Sequence, residues 1–175
     1  MKLNADHLLA SERLLIFPLS PAQLLKYVEA DDSLEKELGL TPSGRTISPE
    51  LKEALHESIL PAVAANSTDL LFYTLWTMFT KHEHQMVGDL CFKGPPNEQH
   101  EIEIGYGTYT PFRGNGYMTE AINAMIRWAS GIPNVAAIIA ETDKNNVASI
   151  RALQKNHFVA FKTTESMIWW RIPVR

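Results

Sequence analysis

The chain has 175 residues, 45% of them hydrophobic and 21% charged. That composition excludes a disordered or fibrous protein and fits one domain over 1–175 whose core needs no disulfide or metal. Sixteen Lys and Arg against 20 Asp and Glu leave a net charge of −4, which speaks against nucleic acid as a partner.

In chain order, Met1-Lys2 is followed by no apolar leader segment. Residues 12–19 (ERLLIFPL) read as a first strand carrying an arginine. Ser20-Pro21-Ala22-Gln23 has the cap, the proline and the third-position Gln of a capping box, so a helix starts there. Residues 39–46 read as a loop, and Ser48-Pro49-Glu50 starts a second helix. Residues 70–80 and 86–92 are strands by their aromatic and β-branched content, with a bulge expected at Gly88. Residues 100–109 alternate, with Glu101, Glu103 and Gly105 on one face and Ile102, Ile104 and Tyr106 on the other. A helix over 114–129 follows, then a strand over 135–142 whose continuous apolar run marks burial on both faces. A helix over 145–156 and a hairpin of 158–162 with 166–172 complete the chain. The strand–helix–strand crossover predicts a parallel pair joined in the right-handed sense. The fold class is α+β: a mixed, mostly antiparallel sheet with one parallel, splayed strand pair, flanked by helices. No apolar run reaches the ~20 residues of a membrane helix. The single cysteine, Cys91, fits a reducing cytoplasm.

Chemistry concentrates in Arg113-Gly114-Asn115-Gly116-Tyr117-Met118-Thr119, between a strand and a helix. Unpaired N–H groups and the positive end of the helix dipole make such a turn an anion site. The glycines allow close backbone approach, while Arg113 adds a cation and Thr119 a hydroxyl. A turn that binds nothing is the alternative. A dinucleotide fingerprint is excluded, because Thr119 stands where G-x-G-x-x-G requires glycine.

Here the sequence resembles the GNAT superfamily of acyl-CoA N-acyltransferases. Arg113-x-x-Gly116-x-Met118 follows that family's [Gln/Arg]-x-x-Gly-x-[Gly/Ala] signature except at its last position. The stretch GNGYMTEA, the Asn146-x-x-Ser149 helix and Lys155-Asn156-His157-Phe158 are similar to the ribosomal-protein-alanine N-acetyltransferase branch. His157 replaces a glycine there, so a less tightly turned helix end is expected. The resemblance runs over about residues 100–160 and is weak over 20–70, where the family varies its acceptor site.

The resemblance implies acetyl-CoA as cosubstrate. The backbone of Arg113, Gly114, Asn115, Gly116, Tyr117, Met118 and Thr119 would hold its pyrophosphate. The pantetheine arm would lie in the strand splay, on backbone including Ile104, with Asn146 and Ser149 reaching it. Capping the helix is the alternative role for Asn146. Lys144, Arg151 and Lys155 would meet the adenosine phosphates or form a solvated basic face. Glu103 is the candidate base, with a cross-strand ion pair as its alternative role and Glu101 as its substitute. A tyrosine acid is absent at its usual place, which Leu153 occupies, leaving Ser149 as the nearest hydroxyl to protonate the thiolate. His82, Glu83, His84 and His100 do not make a tetrahedral metal site at this spacing, so no metal is expected. Cys91 reads as core, and Trp169 and Trp170 as packing. Trp76 reads as packing too, with lining an acceptor pocket as the alternative role for it or Tyr73.

The implied function is an N-acetyltransferase acting on a primary amine, of a protein N-terminus or a small molecule, by direct attack in a ternary complex. A non-catalytic acyl-CoA sensor or regulatory subunit is the alternative. No nucleic acid or membrane is expected as partner, and the protein is read as a cytoplasmic monomer or homodimer.

Overall fold

The structure is a computed structural model, described for residues 7–66 and 69–175. Residues 1–6, where no leader was read, lie outside that range.

Eight strands form one sheet in the order β1-β2-β3-β4-β5-β6-β8-β7. They are β1 (Leu9–Ala10), β2 (Leu14–Pro18), β3 (Leu75–Thr80), β4 (Met86–Phe92), β5 (Glu101–Thr108), β6 (Ala137–Asp143), β7 (Val159–Thr163) and β8 (Met167–Pro173). β5 and β6 run parallel, and the other neighbours run antiparallel. Helices α1 (Pro21–Glu29), α2 (Ser33–Leu38), α3 (Pro49–Ala54) and α4 (Leu60–Ala65) precede β3, with a π-helical turn (Leu55–Ile59) joining α3 to α4. Pro61 follows that turn and lacks the N–H that would continue the regular ladder. Helices α5 (Tyr117–Ser130) and α6 (Val147–Lys155) flank β6 in sequence.

Period-2 alternation assigns each strand residue to one of two cores. Leu14, Ile16, Trp76, Met78, Ile102 and Ile104 pack with Met118, Ile122, Met125 and Leu153 of α5 and α6. Phe17, Leu75, Phe79 and Met86 pack with Leu24, Tyr27, Leu34 and Leu55 of the early helices. Each fully buried aliphatic side chain contributes about 1.5–3 kcal/mol.

The Ser20 capping box forms as the sequence reads, Gln23 N–H donating to the Ser20 hydroxyl and Ser20 N–H to the Gln23 side chain. The Gly88 bulge is present: β3 partners step from Gly88 to Met86, leaving Val87 extra on β4. Residues 70–72 form a 3-10 turn instead of strand. Phe72 there packs on Phe92 and Trp128, so its apolar character serves ring packing and not a ladder. β1 and α2 are elements the sequence reading did not place. His157 takes a left-handed conformation, φ +64, and Phe158 N–H donates to the Leu153 carbonyl. The helix end is therefore turned as tightly as with glycine, and backbone strain replaces the expected loosening.

Among the described residues, no helix is long and apolar enough to cross a membrane.

Candidate active site

The parallel pairing of β5 with β6 covers only Glu101, Ile102 and Glu103, opposite Ala137, Ile138 and Ile139. Beyond it the strands part, and Ile104, buried at 2% exposure, is the first β5 residue past the last pair. Two cavities flank the freed end of β5. One, of about 560 Å³, lies toward α5 and α6; the other, of about 400 Å³, opens toward the start of α3. They share Tyr106, Gly107, Thr108 and Arg113, so both spaces border the end of one strand.

The larger cavity gathers nearly every residue assigned to the cofactor. Arg113, Gly114, Gly116, Tyr117, Met118, Thr119, Asn146, Ser149, Arg151 and Lys155 all line it. Ile104, Asn115 and Lys144 are not in its lining. Gly116 caps α5 with φ +78, a conformation that favours glycine. The first intrahelical bond runs from Glu120 N–H to the Gly116 carbonyl. The N–H groups of Tyr117, Met118 and Thr119 therefore have no intrahelical acceptor and are available to an anion.

The loop is braced from the first strand. The Arg13 side chain donates to the Asn115 carbonyl at 3.0 Å and to Glu120 at 2.8 Å, and its guanidinium lies 4.8 Å from the Tyr117 ring centre. Burial would raise the Glu120 carboxyl, but the Arg13 N–H, the Ser11 hydroxyl and the Arg13 guanidinium outweigh it and hold it below the usual range. Asn115 Nδ2 donates to the Phe112 carbonyl, which tightens the turn.

Asn146 is the cap of α6, its Oδ1 accepting from Ser149 N–H at 3.1 Å. Capping was the alternative role for this residue, and it is made here. The Ser149 and Tyr106 hydroxyls are hydrogen-bonded at 2.7 Å on the cavity wall. Burial pushes the Tyr106 hydroxyl up to about 12, against the opposing Ser149 bond, so it stays a protonated donor at neutral pH. Sequence reading missed Tyr106, because its partner lies 43 residues away.

On the acceptor side, Glu103 forms an ion pair with Lys93, which also faces Glu141 at 3.8 Å. Glu101 pairs with Arg171 at 2.6 Å. Neither carboxylate is among the residues lining the two cavities. Cys91 borders the smaller cavity instead of packing away from it, and burial pushes its thiol up to about 11. A thiol so raised is a poor nucleophile at neutral pH.

Trp76 is fully buried, its indole donating to the Leu71 carbonyl, and it lines neither cavity, nor does Tyr73. Trp170 is core and donates to Thr142, whereas Trp169 carries Lys162 over its ring. His82, Glu83 and His84 occupy the exposed turn between β3 and β4. The smaller cavity also holds a residue without a sequence signal, Asp89, at 3% exposure.

Comparison with known proteins places the chain's family and fold. The chain is 31% identical over 140 residues to the uncharacterized N-acetyltransferase YjdG of Bacillus subtilis (strain 168), covering 79% of this chain and 82% of that protein. The fold is shared with RimL, a ribosomal L7/L12 alpha-N-protein acetyltransferase solved in complex with coenzyme A. That likeness has TM-score 0.67 and 14% identity, over 95% of this chain and 98% of that one. It is also shared with the ribosomal-protein-S5-alanine acetyltransferase of Vibrio fischeri, at TM-score 0.65 and 17% identity, over 96% and 97% of the two chains. The sequence model of the acetyltransferase (GNAT) domain matches residues 13–159, from the arginine that braces the loop to the start of β7, and on that span the chain belongs to the GNAT acetyltransferase family.

Proposed function

We propose that the chain transfers an acetyl group from acetyl-CoA to a primary amine, by direct attack within a ternary complex and in a single domain spanning 1–175. One observation carries this reading: two cavities flank the freed end of β5, and a helix-capping phosphate loop borders the larger. The backbone of Gly114 to Thr119, with Arg113, holds the pyrophosphate. Ile104 backbone, Asn146 and Ser149 follow the pantetheine arm, and Arg151 and Lys155 meet the adenosine phosphates. A β5 backbone N–H stabilises the carbonyl oxygen as it becomes negative. The Tyr106–Ser149 hydroxyl pair supplies a proton to the departing thiolate. Two carboxylates compete for the role of base, Glu103 by sequence and Asp89 by structure. The acceptor is the amine of a protein N-terminus, in keeping with RimL's description as an alpha-N-protein acetyltransferase, or of a small molecule.

The test is CoA-thiol release from acetyl-CoA over a panel of amines and N-terminal peptides, alongside thermal melts. Saturating acetyl-CoA at 100 times its Kd adds about 2.7 kcal/mol, a rise in Tm of roughly 5–10 °C for a domain this size. Stabilisation without thiol release is the signature of the sensor alternative. No shift at millimolar acetyl-CoA overturns both.

A further inference from the structure

We propose that Asp89 is the carboxylate that seats the acceptor amine and takes its proton, a reading that rests on the acetyl transfer above. In the β4–β5 register Asp89 stands opposite Gly107 and Cys91 opposite Gly105. Cross-strand partners share a face, so the two glycines strip β5 of side chains where Asp89 and Cys91 project. A Cβ built on Gly107 would meet no atom within 4 Å. The smaller cavity is the hollow this leaves, with Thr46, Ser48 and Leu51 also in its lining. The stretch common to both cavity walls, Tyr106 to Thr108, pairs with Gly88, Asp89 and Leu90. Asp89 is thus level with the passage an acetyl group would cross.

Its hydrogen bonding is incomplete. Asp89 Oδ2 accepts from the Tyr27 hydroxyl at 2.7 Å. Among the described residues, Oδ1, the Tyr109 hydroxyl and the Thr77 hydroxyl are buried with no hydrogen-bond partner. A buried carboxylate oxygen left unpaired is costly and is satisfied by a ligand N–H. The groups facing it are Tyr27 from α1, Tyr109 beyond β5, Cys91 and Thr77 from the sheet, and Arg45. Arg45 lies over the Tyr27 ring and is held by Glu35 at 2.9 Å. Burial lifts the Asp89 carboxyl to about 6; the neighbouring hydroxyls and Arg45 oppose the rise, Thr77 and Tyr109 without meeting hydrogen-bond geometry. A base poised near neutrality is the efficient kind. Glu103, by contrast, sits four residues before Gly107, about 13 Å along the strand, and is held by Lys93.

The chemistry balances as follows. The bound ammonium gives one proton to Asp89 and becomes a neutral amine. Its nitrogen attacks the thioester carbonyl carbon; the N–C bond forms and the C–S bond breaks, its electron pair leaving on sulfur. The second nitrogen proton reaches the thiolate through the Tyr106–Ser149 pair, and Asp89 returns its proton to solvent.

The experiment measures amine kcat/KM and acetyl-CoA affinity from pH 5 to 9. The probes are n-butylamine, 1,4-diaminobutane and trialanine amide, with wild type, Asp89→Asn, Glu103→Gln and Gly107→Ala. Asp89→Asn is expected to lose at least 100-fold in kcat/KM at pH 7, to recover partly by pH 9, and to bind acetyl-CoA within threefold of wild type. Gly107→Ala, which places a methyl over the seat without touching the carboxylate, raises the amine KM about tenfold. Glu103→Gln loses less than Asp89→Asn at pH 7, and the reverse order overturns the inference. Asp89→Asn within fivefold of wild type, a loss equal at every pH, or an unchanged amine KM in Gly107→Ala each overturns the inference while acetyl transfer stands. Wild type that binds acetyl-CoA but releases no thiol with any probe overturns the transfer reading, and the inference with it.

Discussion

The two cavities share the end of β5 and differ in what builds them. The cofactor side is made of main chain: a glycine-capped helix start, orphan N–H groups and an exposed turn whose side chains mostly face solvent. The smaller cavity backs onto buried side chains: Asp89 and Tyr109 line it, and Tyr27, Thr77 and the Arg45–Glu35 pair stand behind them. A backbone site binds the same anion whatever the side chains around it. A side-chain site changes its ligand with each substitution. One domain can therefore keep its acyl donor while its acceptor drifts.

Four substitutions set the two sides against each other, from the largest expected effect down. Arg45→Ala strands the Glu35 carboxylate in the interior and should cost about 3–5 kcal/mol of stability in urea unfolding. A cost below 1 kcal/mol would place the weight of the acceptor side elsewhere. Gly116→Val acts on the other side. It forces a β-branched residue to φ +78 where the anion approaches, and should weaken acetyl-CoA binding at least 100-fold by calorimetry, about 2.7 kcal/mol. Stability should fall by only about 1–2 kcal/mol. Equal losses in both would erase the distinction drawn here.

Asp89→Asn separates stability from chemistry. The native carboxyl titrates near 6 against an ordinary value of 3.8, so between those values the folded state holds more protons than the unfolded. Wild-type stability then falls as pH rises through that window. The variant should therefore match wild type near pH 3.5 and exceed it by about 1–3 kcal/mol at pH 8, read from denaturation midpoints at both pH values. The smallest effect belongs to His157→Gly at the end of α6. Relief of the left-handed strain should add about 1 kcal/mol, and a destabilised variant would mean that the imidazole holds the turn.

Legibility in the sequence follows the same division. The glycine turn before α5, the strand–helix–strand order and the helix caps are local signals, and the structure has each element where it was read. The acceptor side draws on residues 27, 35, 45, 77, 89 and 109, too far apart for any short pattern to mark. Asp89 sits inside MVGDLCF, which reads as an ordinary strand. Glu103 was legible as a carboxylate on the right strand, but its partner Lys93 is a cross-strand neighbour that alternation alone does not reveal. Residues 70–72 failed for a different reason: an aromatic run packs equally well as strand or as a tight turn, and only tertiary ring contacts decide. Helix α2 carries a start signal, Asp32 followed three residues later by Glu35, which the sequence reading passed over.

The splay of β5 from β6 has a consequence for local motion. Three paired residues hold the strands together, and then Ile104–Thr108 and Ala140–Asp143 face each other across a gap as two open edges inside a continuous sheet. Open edges recruit extended chains by main-chain hydrogen bonding, and an amide-bearing pantetheine arm is one such chain. The cosubstrate would then serve as a temporary ninth strand, and the sheet would be complete only when loaded. Deuterium uptake at the inward-facing amides of these two segments should slow when CoA binds, while β3, already paired on both sides, should exchange at an unchanged rate.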